Sequence, residues 1–459
     1  MTKRTFEIAA ARQVLSALVL ALALAALVLA APQSPRSGHT RHVLVISVDG
    51  MRSEAYTNPP PGAKIPNLLQ LKSEGSYADA VVGVYPTSTY PSHTTLVTGC
   101  LPAQHGIFTN LSSRVAGKSA QDWFWFAKAI KCPTLWDEAA AHHLTVASVA
   151  WPVTAGANID WDVPEIWNPA EGMVADPLYV AKFMNPVFGL QLLGALGPPQ
   201  PNGDSDVLRS RIATYVIETH KPDLTLVHMV DLDAIQHRRG PRSPAVAATL
   251  TQIDGHIGEL LSALHSAAIA RDTDVFVVSD HGFLPVERLI NPNVLLVGAG
   301  LLTADANGNI TGGKIDTVAN GGSFFIYWPA SENLRPEIGR ALKPLFDRGL
   351  AWAVLDRQAL KNLGADPGAQ MALDAPTGAM YGETGRGELV SGASGGDHGY
   401  LPFRKGLAAS FIAWGPDIRP GVDVHRIRMI RVAPTILRAM GISDPKFGEA
   451  PALGEIWRQ

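Results

Sequence analysis

Cysteine is scarce in this sequence, and a strong excess of charge of either sign is absent. The chain has two cysteines, Cys100 and Cys132, so at most one internal disulfide can form. A disulfide and two free buried thiols both fit the sequence. Charged residues make up 17% of the chain and the formal net charge is −3, with both signs scattered. This distribution argues against a nucleic-acid-binding stripe.

Linkers and repeats are absent as well. No Ser/Gly-rich linker, block of like charges or internal repeat divides the 459 residues. A hydrophobic content of 46% is enough to build a large core. We therefore predict one large domain with insertions, over residues 31–459, rather than a string of modules.

One long apolar run is present, at residues 14–31, and it follows Lys3, Arg4 and Arg12. A basic start, an apolar run and small residues at its end are typical of a secretory signal peptide, predicted here as residues 1–30. Because the run just reaches bilayer-spanning length, an uncleaved N-terminal anchor is the alternative. In either case we expect the rest of the chain outside the cytoplasm, as a periplasmic, secreted or outward-facing anchored protein.

The remaining sequence alternates between strand-like and helix-like segments. Apolar residues at helical spacing predict a helix over residues 244–268. Parts of residues 111–201 and 285–392, which have weak periodicity, are predicted to be cap insertions. The alternation predicts an α/β layered fold with a mostly parallel sheet, whose ligands bind beyond the carboxyl ends of the strands. Apolar runs predict buried strands at residues 43–48, 146–151, 224–230, 275–279 and 408–413.

Carboxylates and imidazoles directly follow three of the predicted strands, and a glycine-rich segment adds one more imidazole. These ligand types suit zinc, at about three protein ligands per ion, so six side chains suffice for two zinc ions or other divalent transition metals. Each cluster alone also fits a strand exit or a solvated ion pair, and only their occurrence together favours a metal site. The six side chains are Asp49, Asp233, His237, Asp280, His281 and His398.

The order of these motifs resembles that of the nucleotide pyrophosphatase/phosphodiesterase family of the alkaline phosphatase superfamily. The resemblance covers most of the chain after the N-terminal segment. It implies an alkaline-phosphatase-like fold and one catalytic domain that hydrolyses phosphodiester or phosphoanhydride bonds. The motifs that carry it are Asp49-Gly50, Thr89-Tyr90-Pro91-Ser92-His93, Asp233-x-x-x-His237-x-x-Gly240-Pro241, Ser279-Asp280-His281-Gly282 and Asp397-His398-Gly399-Tyr400.

The resemblance also implies two zinc ions per chain and a role for each motif residue. The first zinc is held by Asp233, His237 and His398. The second zinc is held by Asp49, Asp280, His281 and Thr89.

The implied catalytic residues are Thr89 and Asn110. Thr89 is the nucleophile and forms a threonyl-phosphate intermediate. Its alternative role is to cap a helix, because Pro91 suits a first helical turn. Asn110 is implied to bind a phosphate oxygen of the substrate opposite the metal ions.

Two departures from the family pattern concern the substrate. Ser92 stands where members commonly have asparagine, and His228 stands where they commonly have an aromatic residue. Tyr90 keeps the aromatic residue that follows the nucleophile, so it is predicted to form one wall of a base-stacking slot. The expected partner is therefore a small phosphodiester or a nucleotide, without specific nucleic-acid binding. Membrane contact is expected only through an uncleaved N-terminal segment, and the sequence does not predict the oligomeric state.

Three alternatives share these residues. A phosphomonoesterase or a phosphonoacetate-type hydrolase would use the same metal site. A non-catalytic exported metal-binding protein would lack a ligand or the nucleophile, and none of these is missing from the motifs.

Overall fold

The computed structural model describes residues 42–112, 123–167, 177–198, 205–443 and 447–458. The predicted signal or anchor segment, residues 1–30, lies outside these ranges. Among the described residues, no helix is both long enough and apolar enough to cross a bilayer.

The strands of the described part are numbered in chain order. They are β1 (His42–Val48), β2 (Ser76–Tyr77), β3 (Ala80–Val82), β4 (Val146–Val149), β5 (Trp161–Val163), β6 (Leu224–Met229), β7 (Thr273–Val278), β8 (Leu284–Ile290), β9 (Leu302–Ala304), β10 (Ile310–Gly313), β11 (Asp316–Asn320), β12 (Ser323–Tyr327), β13 (Ala353–Asp356), β14 (Met371–Asp374), β15 (Gly378–Tyr381), β16 (Val390–Gly392), β17 (Gly396–Asp397), β18 (Phe411–Trp414), β19 (Val422–Asp423) and β20 (Arg426–Arg428).

The α-helices are numbered in the same way. They are α1 (Glu54–Thr57), α2 (Pro66–Glu74), α3 (Thr89–Thr98), α4 (Pro102–His105), α5 (Leu135–Ala141), α6 (Pro177–Val180), α7 (Pro186–Leu196), α8 (Ser205–His220), α9 (Asp231–Arg239), α10 (Pro244–Ser266), α11 (Pro292–Gly298), α12 (Arg335–Ala341), α13 (Lys343–Asp347), α14 (Arg357–Asn362) and α15 (Val432–Ala439). Short 3-10 turns lie at Ala127–Ala129, Ala181–Phe183, Ala270–Asp272 and Met429–Arg431.

The largest sheet in the described part has the strand order β19-β2-β18-β7-β1-β6-β4-β5. The neighbours β7, β1, β6, β4 and β5 are parallel, whereas β18 pairs antiparallel with β7. β1 lies between β6 and β7, with Val45 opposite Leu226 on one side and Phe276 on the other. Because these three strands run in the same direction, their carboxyl ends meet at one edge of the sheet.

Both faces of this sheet are buried. Along β1, Val45 packs into the core on one face, and Leu44 and Ile46 pack into the core on the other. Helix α10 covers the second face through residues such as Ile253 and Ile257. Burial on both faces explains why these strands are nearly continuous apolar runs in the sequence.

The structure contains the predicted central strands and the long predicted helix, as β1, β4, β6, β7 and α10. The predicted strand at 408–413 begins later, at Phe411. Ser410 is taken out of the ladder because its N–H donates to Ser279 Oγ (2.8 Å) and its hydroxyl donates to the Met51 carbonyl (2.7 Å).

The part of the chain predicted as a cap insertion at residues 285–392 forms sheets of its own. Strands β11, β12, β14 and β13 make an antiparallel sheet, and β8 pairs with β15, β16 and β17. Phe324, Ile326 and Leu373 are buried in a separate hydrophobic core beneath these strands. β17, just after this part, pairs with β8 and leads directly into His398, one of the predicted metal ligands.

The two cysteines form a disulfide. The Cα atoms of Cys100 and Cys132 lie 6.8 Å apart, and the bond closes the segment that contains Asn110. Of the two possibilities that fit the sequence, the structure has the disulfide rather than free thiols.

Candidate metal centre and nucleophile

The strand ends that carry the predicted ligands meet at one edge of the central sheet. Asp49 directly follows β1, and its N–H donates to the carbonyl of Met229 at the end of β6 (2.8 Å). Asp233 lies in the first turn of α9, which follows β6. Asp280 and His281 follow β7. Parallel strand order therefore brings together residues that are more than 200 positions apart in the chain.

Asp49, Asp280 and His281 form the first ligand group. The Nε2 atom of His281 lies 3.1 Å from Asp280 Oδ2 and 3.4 Å from Asp49 Oδ1. All three residues are buried, and these three atoms have no hydrogen-bond partner. The second oxygen of Asp280 is instead anchored, because it accepts from the N–H groups of Gly50 (3.0 Å) and His281 (2.9 Å).

Asp233, His237 and His398 form the second ligand group. Asp233 Oδ1 lies 3.4 Å from His237 Nε2 and 3.9 Å from His398 Nε2, and it has no hydrogen-bond partner. The Nδ1 atom of His237 contacts the Gly396 carbonyl (3.1 Å), and the Nδ1 atom of His398 contacts the Thr87 carbonyl (2.9 Å). A carbonyl only accepts, so each Nδ1 carries a hydrogen and each Nε2 is the nitrogen that faces Asp233.

The two groups are neighbours, because the rings of His281 and His398 stack with centroids 3.8 Å apart. Buried carboxylate and imidazole atoms that face each other without hydrogen bonds are unfavourable unless a cation binds between them. Both groups offer the nitrogen and oxygen donors that divalent transition metals prefer. The residues therefore fit a metal ion at each group.

The electrostatics of the first group lead to the same conclusion. Burial, followed by the charge of Asp233, raises the pKa of Asp49, and burial, followed by the charge of Asp49, raises the pKa of Asp280. Burial, followed by the neighbouring His398, lowers the pKa of His281. A bound cation would lower the pKa values of both carboxyl groups, because a cation favours ionised carboxylates. It would also favour the neutral imidazole of His281.

Two glycines allow the loop of His398 to approach the site. Gly395 has φ +107°, and a Cβ there would lie 2.0 Å from the carbonyl oxygen of His237. Gly399 has φ +87°, and a Cβ there would lie 2.0 Å from the carbonyl oxygen of Asn320. A side chain at position 395 would push the loop away from α9, and one at position 399 would push it away from the end of β11, so the two glycines hold His398 in place.

Thr89 is the first residue of α3, and residues before and after it contact the two ligand groups. Two residues before it, Thr87 binds the ring of His398 through its carbonyl. One turn after it, the Nδ1 atom of His93 lies 3.6 Å from Asp280 Oδ2. The N-terminal end of α3 adds positive potential here, which favours an ionised hydroxyl.

Asn110 is fixed against the same helix end. Its Oδ1 accepts a hydrogen bond from the N–H of Tyr90 (3.0 Å), which leaves its Nδ2 as a donor. The N-cap position of α3 belongs to Ser88, so Thr89 does not serve as the helix cap.

Tyr90 and His228, the two positions considered for a base-stacking slot, are both fully buried. The ring of Tyr90 packs edge-on against Trp123, with centroids 5.2 Å apart. His228 lies between two carboxylates: its Nε2 is 3.1 Å from Asp49 Oδ2, and its Nδ1 is 2.7 Å from Glu165 Oε2. Sequence reasoning missed Glu165, because it is a single carboxylate in a weakly periodic segment with no motif around it.

Residues 43–338 match the family model described as type I phosphodiesterase/nucleotide pyrophosphatase. The chain belongs to this family. The matched residues of this phosphodiesterase family member include Thr89, the first ligand group, Asp233 and His237, whereas His398 lies beyond them. The resemblance predicted from the motifs is thereby confirmed.

Similar curated proteins are longer than this family member. Ectonucleotide pyrophosphatase/phosphodiesterase family member 1 of Mus musculus is 23% identical over 450 residues, which are 93% of this chain and 44% of the relative. Bis(5'-adenosyl)-triphosphatase ENPP4 of Bos taurus is 26% identical over 259 residues, which are 54% of this chain and 49% of the relative. The chain thus spans less than half the length of these relatives.

Solved structures of family members share the fold. Murine ectonucleotide pyrophosphatase/phosphodiesterase 5 has a TM-score of 0.65 at 19% identity, over 89% of this chain and 98% of that chain. An inactive threonine-to-alanine variant of the same murine protein, in complex with AMP, has a TM-score of 0.64 at 18% identity, over 89% of this chain and 97% of that chain. The similarity confirms the predicted α/β layered, alkaline-phosphatase-like fold.

We expect zinc binding to weaken as the pH falls. Burial opposes protonation of His237, but its contact with Asp233 outweighs burial and raises the pKa of His237 to about 9 in the metal-free protein. Below that pH the ring is protonated, and Nε2 must lose its proton before an ion can bind. Each pH unit below about 9 should therefore weaken zinc binding about tenfold for this proton alone.

Chelator competition between about pH 6 and pH 8 measures this dependence. The variant His237→Gln loses this proton together with a ligand, so it should bind zinc more weakly and with a shallower dependence on pH. An affinity that does not change with pH in the unmodified protein would contradict the assignment of His237 as a ligand.

Proposed function

We propose that this chain is an exported two-zinc hydrolase that cleaves phosphodiester or phosphoanhydride bonds through a phosphoryl group carried on Thr89. The observation that carries this proposal is the position of Thr89 at the N-terminus of a helix, where the neighbouring residues Thr87 and His93 contact one ligand group each. The names of the relatives, an ectonucleotide pyrophosphatase/phosphodiesterase and a bis(5'-adenosyl)-triphosphatase, support substrates with phosphoric ester or anhydride bonds. The proposal of export rests on the predicted signal or anchor segment alone.

The ligand groups define where zinc would bind. One ion would be held by Asp233, His237 and His398, and the other by Asp49, Asp280, His281 and Thr89. Bound zinc would lower the pKa of the threonine hydroxyl and neutralise charge on the phosphoryl oxygens.

Thr89 carries the covalent chemistry in this proposal. Its Oγ1 loses a proton and attacks phosphorus, and the bond from phosphorus to the leaving-group oxygen breaks with its electron pair on that oxygen, which then takes up a proton. Water next attacks the same phosphorus, the bond from phosphorus to Oγ1 breaks, and Thr89 regains its proton. Two in-line displacements give net retention of configuration at phosphorus.

Asn110 stabilises the charge that develops on the phosphoryl group. Because its Oδ1 is held by the N–H of Tyr90, the amide cannot turn away, and its Nδ2 donates to a non-bridging oxygen. A donor that is fixed before the reaction needs no reorganisation during it.

A cavity of about 340 Å³ lies beside the segment that contains Asn110. Thr109 and Leu111, which flank Asn110 in the chain, line this cavity. Val318 of β11 and Tyr327 of β12 line it as well. Because Ser112 and Asp366 also line it, the cavity presents both apolar and polar groups to a substituent.

The proposed activity predicts a clear preference among substrates. Zinc-loaded protein should hydrolyse a bis-aryl phosphate or a dinucleotide with a kcat/KM more than about tenfold above that for an aryl monophosphate, because binding a second substituent stabilises the transition state. Initial rates on these substrates and on phosphonoacetate, with Thr89→Ala as the blank, measure the preference. A preference for the monophosphate would instead support a phosphomonoesterase. Release of phosphate from phosphonoacetate would support a phosphonoacetate-type hydrolase.

A further inference from the structure

We infer that His228, held by Glu165, positions Asp49 as a zinc ligand, and that Tyr90 and His228 do not form a slot for a nucleobase. This inference deepens the proposed function and rests on it for the reaction. It concerns how the site selects substrates and how firmly it holds the first ligand group.

The position of His228 follows from the sheet. It lies on β6 directly opposite Ser47 of β1, two residues before Asp49. From there its Nε2 reaches the Asp49 oxygen that does not face the ligand group, Oδ2, at 3.1 Å. The other oxygen, Oδ1, is the one that faces His281 without a hydrogen-bond partner. One oxygen of Asp49 is therefore anchored while the other is presented to the ion.

The far side of the His228 ring is anchored by acceptors. Its Nδ1 lies 2.7 Å from Glu165 Oε2 and 3.1 Å from the carbonyl oxygen of Ala150, so this nitrogen donates. With Asp49 ionised, as a metal ligand must be, both ring nitrogens of His228 face acceptor oxygens. A carboxylate, an imidazole and a second carboxylate then form one chain that ends at the ligand group.

Packing fixes the plane of this ring. His93 lies edge-on to His228, with centroids 4.3 Å apart, and Trp151 lies edge-on to His93 at 5.0 Å. The backbone carbonyl of His228 accepts from Arg209 Nη1 at 2.9 Å. His228 and Glu165 are both buried, so solvent does not compete for these contacts. The ring therefore has little freedom to turn toward a substrate.

The ring of Tyr90 is likewise covered by neighbouring side chains. Its ring is fully buried and packs edge-on against Trp123, which packs in turn against Trp167 at 4.5 Å. Burial, followed by the charge of Glu165, raises the pKa of Tyr90, which keeps its hydroxyl neutral. Stacking a base requires an open ring face, and neither Tyr90 nor His228 offers one. Substrates are then selected by the phosphoryl group and by the cavity beside Asn110 rather than by a stacked base.

The test combines zinc affinity with substrate selectivity. His228→Phe keeps a ring of similar size and removes both side-chain contacts, whereas His228→Gln keeps a donor toward Asp49. We expect His228→Phe to weaken one of the two zinc-binding steps by about 10-fold to 100-fold in chelator competition, and His228→Gln to restore much of that loss. The kcat/KM ratio of a dinucleotide to a bis-aryl phosphate should change less than about threefold in both variants, because no base contact is lost.

A matched control removes a similar contact elsewhere. His256 bonds to Glu259 at 3.0 Å on α10, so His256→Phe removes a histidine–glutamate pair away from the ligand groups and should leave zinc affinity unchanged. Unchanged zinc affinity in His228→Phe, with or without a lower melting temperature, would overturn the positioning role. A tenfold change in the kcat/KM ratio of a dinucleotide to a bis-aryl phosphate would contradict the inference that Tyr90 and His228 form no slot for a nucleobase. If the unmodified protein hydrolyses no diester, the proposed function fails, but the affinity comparison still decides the role of His228.

Discussion

Replacing Thr89 by alanine should lower hydrolysis of a bis-aryl phosphate on the order of 10⁴-fold, because the variant has no side-chain oxygen to attack phosphorus. The residue lies at the start of α3 and makes no capping contact, so its removal costs little stability. Thermal unfolding should therefore stay close to that of the unmodified protein, while steady-state rates fall. A large loss of activity without a loss of thermal stability is the result expected for a nucleophile.

The same helix offers a control. Thr94 is buried on α3, and its hydroxyl donates to the carbonyl of Tyr90 at 2.8 Å, so Thr94→Ala removes a threonine hydroxyl that has a purely structural contact. It should lower stability by about 1 kcal/mol and change the rate little. Inversion of configuration with a chiral phosphorothioate diester, or full activity in Thr89→Ala, would rule out the covalent step.

Removing one ligand from either group should halve the metal content and nearly abolish activity. His281→Ala and His237→Ala should each bind one zinc per chain instead of two, because the ligand groups are separate but adjacent. Each ion contributes several kcal/mol to transition-state stabilisation, so rates should fall on the order of 10³-fold. Metal analysis after gel filtration, together with rates on the same samples, measures both effects.

His220→Ala is the matched control for these variants. The ring of His220 stacks on Trp161 with centroids 4.5 Å apart and takes no part in either ligand group, so zinc content and rate should both stay normal. Two zinc ions retained in His281→Ala, or full turnover after exhaustive chelation of the unmodified protein, would be incompatible with the two-zinc proposal.

The predictions from sequence succeeded where the physical signal is local. The runs that became β1, β6 and β7 are apolar because both sheet faces are buried, and the acidic residues at their ends are recognisable for that reason. The spacing of Asp233 and His237 places both on one face of α9, as four residues correspond to one helical turn. The strand at 408–413 was displaced because Ser410 bonds to Ser279 and Met51, a contact that local periodicity does not encode.

The base-stacking role predicted for Tyr90 shows a different limit of prediction from sequence. The sequence retains an aromatic residue after Thr89, but it does not reveal that Trp123 covers the ring. Likewise, the sequence shows only that His228 replaces an aromatic residue common in the family. In the fold, its two ring nitrogens face Asp49 and Glu165. Both features depend on residues brought in from other segments of the chain.

By itself, the sequence determined the family, the layered α/β fold and the residue types available for a metal site, because hydrophobic periodicity and short motifs are properties of neighbouring residues. Only the tertiary structure decided which predicted ligand atoms converge without partners, that Cys100 and Cys132 are joined, and that His228 faces the carboxylate of Asp49 rather than open solvent. Those outcomes follow from strand order and from side-chain packing between distant segments. His228 and Asp49, for example, are 179 residues apart in the chain, and only the pairing of β6 with β1 makes them neighbours.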